Sequence, residues 1–183
     1  MLLFLTLIDS DEDKSKFEVI YENYRNLMFF VAKKILYSDS DAEDAVQNAF
    51  IRIINNLDKI EDPKCHKTKN LIVIITKRIA IDIYRSKSKY ITVSETDELD
   101  LNELNNVSSV SEFDKVDENI DISYAISKLP DRYRDVLLLK YYNDYTDFEI
   151  AEILSTSEAN VRKLLERSRK KLGNMLGEDG YNS

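Results

Sequence analysis

The chain has 183 residues, 43% of them hydrophobic and 33% charged, which excludes a wholly disordered chain and suits one ordinary domain or two small ones. Three Gly and two Pro are too few breakers for a many-stranded sheet and favour long helices. A single cysteine, Cys65, excludes an internal disulfide and fits a reducing cytoplasm, and with His66 as the only histidine the pair cannot furnish the ligands of the usual structural zinc site.

The opening run Leu2 to Ile8 is apolar but far shorter than the ~20 residues that span a bilayer. It lacks the basic flank and cleavage site of a signal peptide, and the acidic stretch Asp9 to Asp13 follows it. Residues 1–14 are therefore expected as a disordered or docking tail. Ser15-Lys16-Phe17-Glu18 has the form of a capping box. Phe17, Ile20, Tyr21, Tyr24, Leu27, Met28, Val31 and Ile35 then recur at helical spacing, which predicts a helix over about 16–37. A second box, Ser40-Asp41-Ala42-Glu43, precedes Ala42, Ala45, Val46, Ala49, Phe50, Ile53, Ile54 and Leu57, a continuous buried stripe of a second helix. Pro63 and its neighbours make a loop. The run Ile72-Val73-Ile74-Ile75-Thr76 has strand propensity, but no other strand candidate is near to pair with it, and Ile72, Ile75, Ile79 and Ile83 fit a helical stripe, so Leu71 to Tyr84 is read as helix.

The net charge of -8 is unevenly spread. Residues 94–121 hold ten acids against Lys115 alone, which places -9 in that segment and leaves the remainder at +1. The segment lacks an apolar period, is rich in Asn and Ser, and reads as a linker. Beyond it, Ile122, Ala125, Ile126 and Leu129 open a second block. Pro130 suits the first turn of a helix to about Tyr142, and Asn143-Asp144-Tyr145 is a turn. Thr146-Asp147-Phe148-Glu149 is a third capping box, before a short helix with Ile150, Ile153 and Leu154 inward. Ser155-Thr156 turns, Ser157 caps the last helix, and Val161, Leu165, Ser168 and Leu172 form its buried seam. Short helix, tight turn and longer basic helix make a helix-turn-helix unit.

Two basic clusters flank the acidic linker. Residues 67–89 carry Lys67, Lys69, Lys77, Arg78, Arg85, Lys87 and Lys89 against Asp82, a run able to follow a phosphate backbone or simply to be solvated. The last helix exposes Arg162, Lys163, Arg167, Arg169, Lys170 and Lys171, placed to enter a major groove. Opposite the buried stripe of the second helix lie Asp44, Gln47, Asn48, Ile51, Arg52 and Asn55; periodicity alone does not separate a docking face from a solvated one. The common enzyme templates lack their parts, with one histidine, no phosphate-cradling glycine loop and no nucleophile elbow.

Phe17 to Glu22, Asp41 to Phe50 and Ala80-Ile81-Asp82 resemble region 2 of the extracytoplasmic-function subgroup of sigma-70 transcription factors. Leu129-Pro130 with Val136 to Leu139, Glu149 to Leu154, and Ser157-Glu158 leading to Val161 resemble region 4. The resemblance covers about three quarters of the chain, in order. It implies an all-α fold of two small helical domains, a region 2-like bundle at 15–93 and a region 4-like helix-turn-helix at 121–176, joined by the acidic flexible linker 94–120, with tails at 1–14 and 177–183. It further implies a cytoplasmic, non-enzymatic factor that directs core RNA polymerase to promoters and helps open them, the alternative being a free-standing helix-turn-helix regulator. Asp44, Gln47, Asn48 and Ile51 would dock on the clamp coiled coil of the polymerase. The loop Ile60 to Asn70 and the basic helix, with Lys67, Lys69, Lys77, Arg78 and Arg85, would recognise the minus-ten element. Ser157, Asn160, Arg162, Lys163 and Arg167 would read the minus-thirty-five element. The linker would thread the polymerase cleft. Implied partners are core RNA polymerase, promoter DNA and an anti-sigma factor, with no small-molecule substrate, cofactor or metal. Thr68 and Leu71 stand where relatives usually carry aromatics, Leu164 where Arg is frequent, and Ser155 where the turn is usually glycine.

Overall fold

The computed structural model describes residues 1–91 and 120–179, and the chain divides into two compact units, Met1–Asp97 and Glu98–Ser183. The predicted linker 94–120 lies outside the described residues except for Ile120, which opens a helix. Among the described residues every regular element is helical, and no helix is long and apolar enough to cross a membrane.

The first unit packs α2 (Asp11–Leu36), α3 (Asp39–Ile54) and α4 (His66–Ile91) around one core, with a short α1 (Leu2–Leu5) against it. α2 starts earlier than its expected capping box. Ser10 is the N-cap, its hydroxyl accepting from the Asp13 N–H, and Asp11, Glu12 and Asp13 complement the positive end of the helix dipole. Ser15 lies inside the first turns, donating to the Asp11 carbonyl. Tyr37 ends the helix in the left-handed conformation (φ 58°), its N–H bonded to the Lys33 carbonyl. That reversal leaves Ser38 extended, and its hydroxyl accepts from Asp41 N–H, so α3 begins two residues before the predicted Ser40 box.

The residues at 1–14 do not hang free. The Phe4 ring lies 5.7 Å from Phe17 and 5.5 Å from Phe50, Tyr21 stacks on Phe50 at 5.0 Å, and Ile8 is buried. Of the predicted α2 stripe, Phe17, Ile20, Tyr24, Met28, Val31 and Ile35 are buried, while Tyr21 and Leu27 are half-covered. α3 buries Ala42, Ala45, Val46, Ala49, Phe50 and Ile53 as its period requires.

α4 settles the conflict between strand propensity and context in favour of helix. Ile72, Ile74, Ile75 and Ile79 are buried against α2 and α3, and the buried Thr76 hydroxyl is satisfied by the Ile72 carbonyl one turn back. Tertiary burial outweighs a β-branched preference worth tenths of a kcal/mol per residue, on the order of 0.5. The helix also begins at His66, so the loop expected to reach Asn70 stops at Cys65.

In the second unit α5 (Ile120–Lys128) buries Ala125 and its follower Leu129 but leaves Ile122 exposed. Pro130 is the N-cap of α6 (Asp131–Leu137) rather than its first residue, and the chain continues as a π-helical segment, Leu138–Tyr142. Asp144 turns the chain in the left-handed region (φ 62°). The Thr146 capping box is complete: Glu149 N–H donates to the Thr146 hydroxyl and Thr146 N–H to the Glu149 carboxylate. α7 (Asp147–Ile153) then buries Ile150, Ala151 and Ile153. Ser155 holds the left-handed φ of 50° that the usual glycine would adopt at less cost. α8 (Glu158–Asp179) is capped by Ser157, whose hydroxyl accepts from Asn160 N–H. Val161, Leu165 and Ser168 form its buried seam, with Leu172 half-covered, and the helix runs past the predicted end at 176.

Phe4→Ala removes a ring wedged between two core aromatics but partly open to water. It should lower the stability of the first unit by about 1–3 kcal/mol, below the cost of a fully buried Phe, read as a shift in the urea midpoint at unchanged slope. An unchanged midpoint would mean that the N-terminal segment adds nothing to the core.

Candidate functional site

The buried seam of α3 turns a polar face outward. Asp44, Gln47 and Asn48 are exposed and Ile51, at 44%, is an exposed aliphatic residue among them. Arg52, expected on that face, is half-buried, and with Asn48, Ile51 and Asn55 of the same face it lines a groove of about 470 Å³ between α3 and α4, closed by Ile79, Asp82, Ile83 and Ser86. Burial lowers the Arg52 pKa, Asp82 opposes that shift and Arg78 adds to it. Arg78 and Asp82 form an ion pair at 3.5 Å.

The basic residues of α4 do not form one face. Lys67, Arg78 and Arg85, separated by eleven and seven residues, share one side of the helix. Lys69 falls on another flank, two residues from Lys67, and Lys77 lies between. Lys67 and Arg85 are exposed, whereas Lys69, Lys77 and Arg78 are half-buried. Lys67 and Lys69 stand in the first turn of α4, which has no acidic residue. Cations there oppose the helix dipole, so these side chains do not serve the helix that carries them.

Thr68 and Leu71 are buried: the Thr68 hydroxyl donates to the Asp62 carbonyl at 2.7 Å, and Leu71 is in the core. Neither is available to stack on a base. Tyr24 is buried beside the same loop; desolvation raises its pKa, with smaller contributions from Cys65 and Asp62.

On α8 all five predicted residues, Ser157, Asn160, Arg162, Lys163 and Arg167, are exposed, but they divide. The Ser157 hydroxyl is committed to the cap, and the Asn160 amide also donates to the Thr156 hydroxyl. Asn160, Lys163 and Arg167 follow one another at three and four residues and form one stripe, which Lys170 continues, with Glu166 beside it, three residues from Lys163 and four from Lys170. Arg162 lies on the other flank, in an ion pair at 3.4 Å with Glu158 and one turn from Glu166.

The helix-turn-helix geometry presents that stripe on the second helix, the one that enters a major groove in such units. The family model described as Sigma-70 region 2 matches residues 20–90, and that described as Sigma-70, region 4, matches 120–172. Together they span well over half the chain, one on each structural unit. ECF RNA polymerase sigma factor SigW of Bacillus subtilis is 29% identical over 171 residues, 90% of this chain and 90% of that protein. Bacteriocin UviA of Clostridium perfringens is 29% identical over 86% of this chain and 85% of its own length. ECF RNA polymerase sigma factor SigM of Bacillus subtilis is 28% identical over 84% and 90%. With both region models in order on the two units, the chain belongs to the sigma-70 family, in its extracytoplasmic-function subgroup, and is an RNA polymerase sigma factor.

Proposed function

We propose that the exposed face of α3 is the polymerase-docking surface and that α4 and α8 are the two promoter readers. The carrying observation is the exposed stripe Asn160, Lys163, Arg167 on the second helix of a capped helix-turn-helix, in a chain of net charge -8. Arg and Lys there can pair with guanine edges and phosphates of the minus-thirty-five element, each good base contact adding about 1–3 kcal/mol of discrimination. Arg162 and the cap Ser157 contribute from its border.

In the first unit, Asp44, Gln47, Asn48 and Ile51 combine exposed hydrogen-bonding groups with one aliphatic contact, a composition suited to a helix of the polymerase clamp. Lys67, Arg78 and Arg85 on one side of α4, with Lys77 at its border, meet the minus-ten element through its phosphates, and Lys69 contributes from another flank. Because Thr68 and Leu71 are buried, base capture there falls to other side chains. The factor acts in the cytoplasm, has no catalysis of its own, and is held in check by an anti-sigma factor.

Co-elution with core RNA polymerase tests the docking face. The wild-type chain should co-elute, and Asp44→Ala with Gln47→Ala should weaken the complex by at least tenfold at unchanged helicity, the loss of one or two interface anchors of about 1–2 kcal/mol each. Undiminished co-elution of the double variant would move the docking surface elsewhere.

Reversing charge at Lys163→Glu and Arg167→Glu should reduce use of promoters that depend on the upstream element by about a hundredfold or more while sparing co-elution with core. Equal activity of wild type and variant in run-off transcription would remove α8 from promoter reading.

A further inference from the structure

The one carboxylate of α4 does little for the helix that carries it. Asp82 stands in the interior of His66–Ile91, where Asp is a poor helix former and lies too far from the N-terminus to complement the dipole. Its ion pair with Arg78, at 3.5 Å, puts the cation four residues before the carboxylate, the less favourable order for such a pair on a helix. From α3, half-buried Arg52 lines the same groove as Asp82, and the two charges act on each other: Asp82 counters the lowering of the Arg52 pKa by burial. Exposed Arg85 follows Asp82 by three residues. A single carboxylate thus stands among three guanidinium groups, two of them on its own helix and one on the neighbouring helix.

To meet a DNA phosphate, Arg78 must give up the Asp82 carboxylate for it. The two side chains are only 30% and 39% exposed, so a carboxylate left alone in the groove would carry a desolvation cost that opposes the exchange. A second guanidinium within the same groove offsets that cost, because the carboxylate can turn to it while the buried residues of α3 and α4 keep both helices in place. We propose that Asp82 restrains Arg78 and that Arg52 receives the carboxylate when Arg78 turns to a phosphate, so that Asp82 and Arg52 set the affinity of α4 for DNA without touching it. They are positioning residues, and Arg78 is the contact. The proposal rests on the reading of α4 as a promoter reader.

The test is anisotropy titration of the full chain against a labelled duplex at several low salt concentrations, with the helicity of each variant recorded. Arg78→Gln should weaken binding and flatten the log–log salt slope by about 0.9, the loss of one phosphate contact. Asp82→Asn should strengthen binding by about twofold to fivefold, the range of a partly exposed ion pair. Arg52→Gln should weaken it by a similar factor, and Arg52→Lys, which keeps the charge, should restore most of the loss. The changes should also be coupled: Asp82→Asn gains nothing once Arg78 is Gln, and Arg52→Gln loses nothing once Asp82 is Asn. A gain from Asp82→Asn that is the same with and without Arg78 would reflect only the removal of a negative charge and would overturn the proposal, as would a loss from Arg52→Gln that persists beside Asp82→Asn. Affinity and slope unchanged in Arg78→Gln would remove α4 from DNA binding and the proposal with it. A loss in Arg78→Gln without a gain in Asp82→Asn would overturn the proposal and leave the α4 reading standing.

Discussion

The buried seam of α3 is the constraint on which the rest of the first unit depends. Ala42, Ala45 and Ala49 admit close approach of α2 and α4, and Phe50 anchors the helix among Phe4, Phe17 and Tyr21. With four rings locked together, rotation of α3 by even one residue would expose Phe50 and bury Asp44 or Gln47, at a cost of several kcal/mol, roughly 2–3 for the ring alone. The outward direction of Asp44, Gln47, Asn48 and Ile51 is thus a consequence of core packing. The same logic holds in the second unit, where Val161, Leu165 and Ser168 fix the rotation of α8 and leave Asn160, Lys163 and Arg167 to solvent.

Charge is placed with a different logic from packing. At the start of α2 the acids Asp11, Glu12 and Asp13 support the helix, whereas at the start of α4 Lys67 and Lys69 oppose it. Arg78 is partly held by Asp82 and Arg162 by Glu158, so neither is the most available cation of its helix. In a sigma factor with a net charge of -8, contacts of exposed cations with DNA are favourable only at short range, within a Debye length of about 8–10 Å at ordinary salt.

Most of this architecture is legible in the periodicity. The seams of α2, α3 and α8 and the Thr146 capping box lie where hydrophobic spacing and cap chemistry place them. The misread starts share one cause: Ser15 and Ser40 satisfy the capping-box pattern, but Ser10 and Ser38 lie just upstream in extended backbone and take the N–H bonds first. Of the two readings of the N-terminal run, disordered or docking, Phe4 and Ile8 take the second, and their target is not legible because a short apolar run has no period to reveal what it packs against. Spacing puts Arg52 on the α3 face, but its half-burial depends on the α3–α4 groove, which only the neighbouring helix defines. The scatter of Lys67, Lys69, Lys77, Arg78 and Arg85 around α4 was legible in their separations once the start of the helix at His66 was known.

The most direct test of the central claim is multi-round transcription by core RNA polymerase on a library of genomic fragments from the source organism, with and without the full chain. Discrete start sites should appear only when both are present, while the chain alone binds duplex DNA weakly. Tight operator binding by the chain alone, with no new start sites, would contradict it and describe a free-standing helix-turn-helix regulator instead.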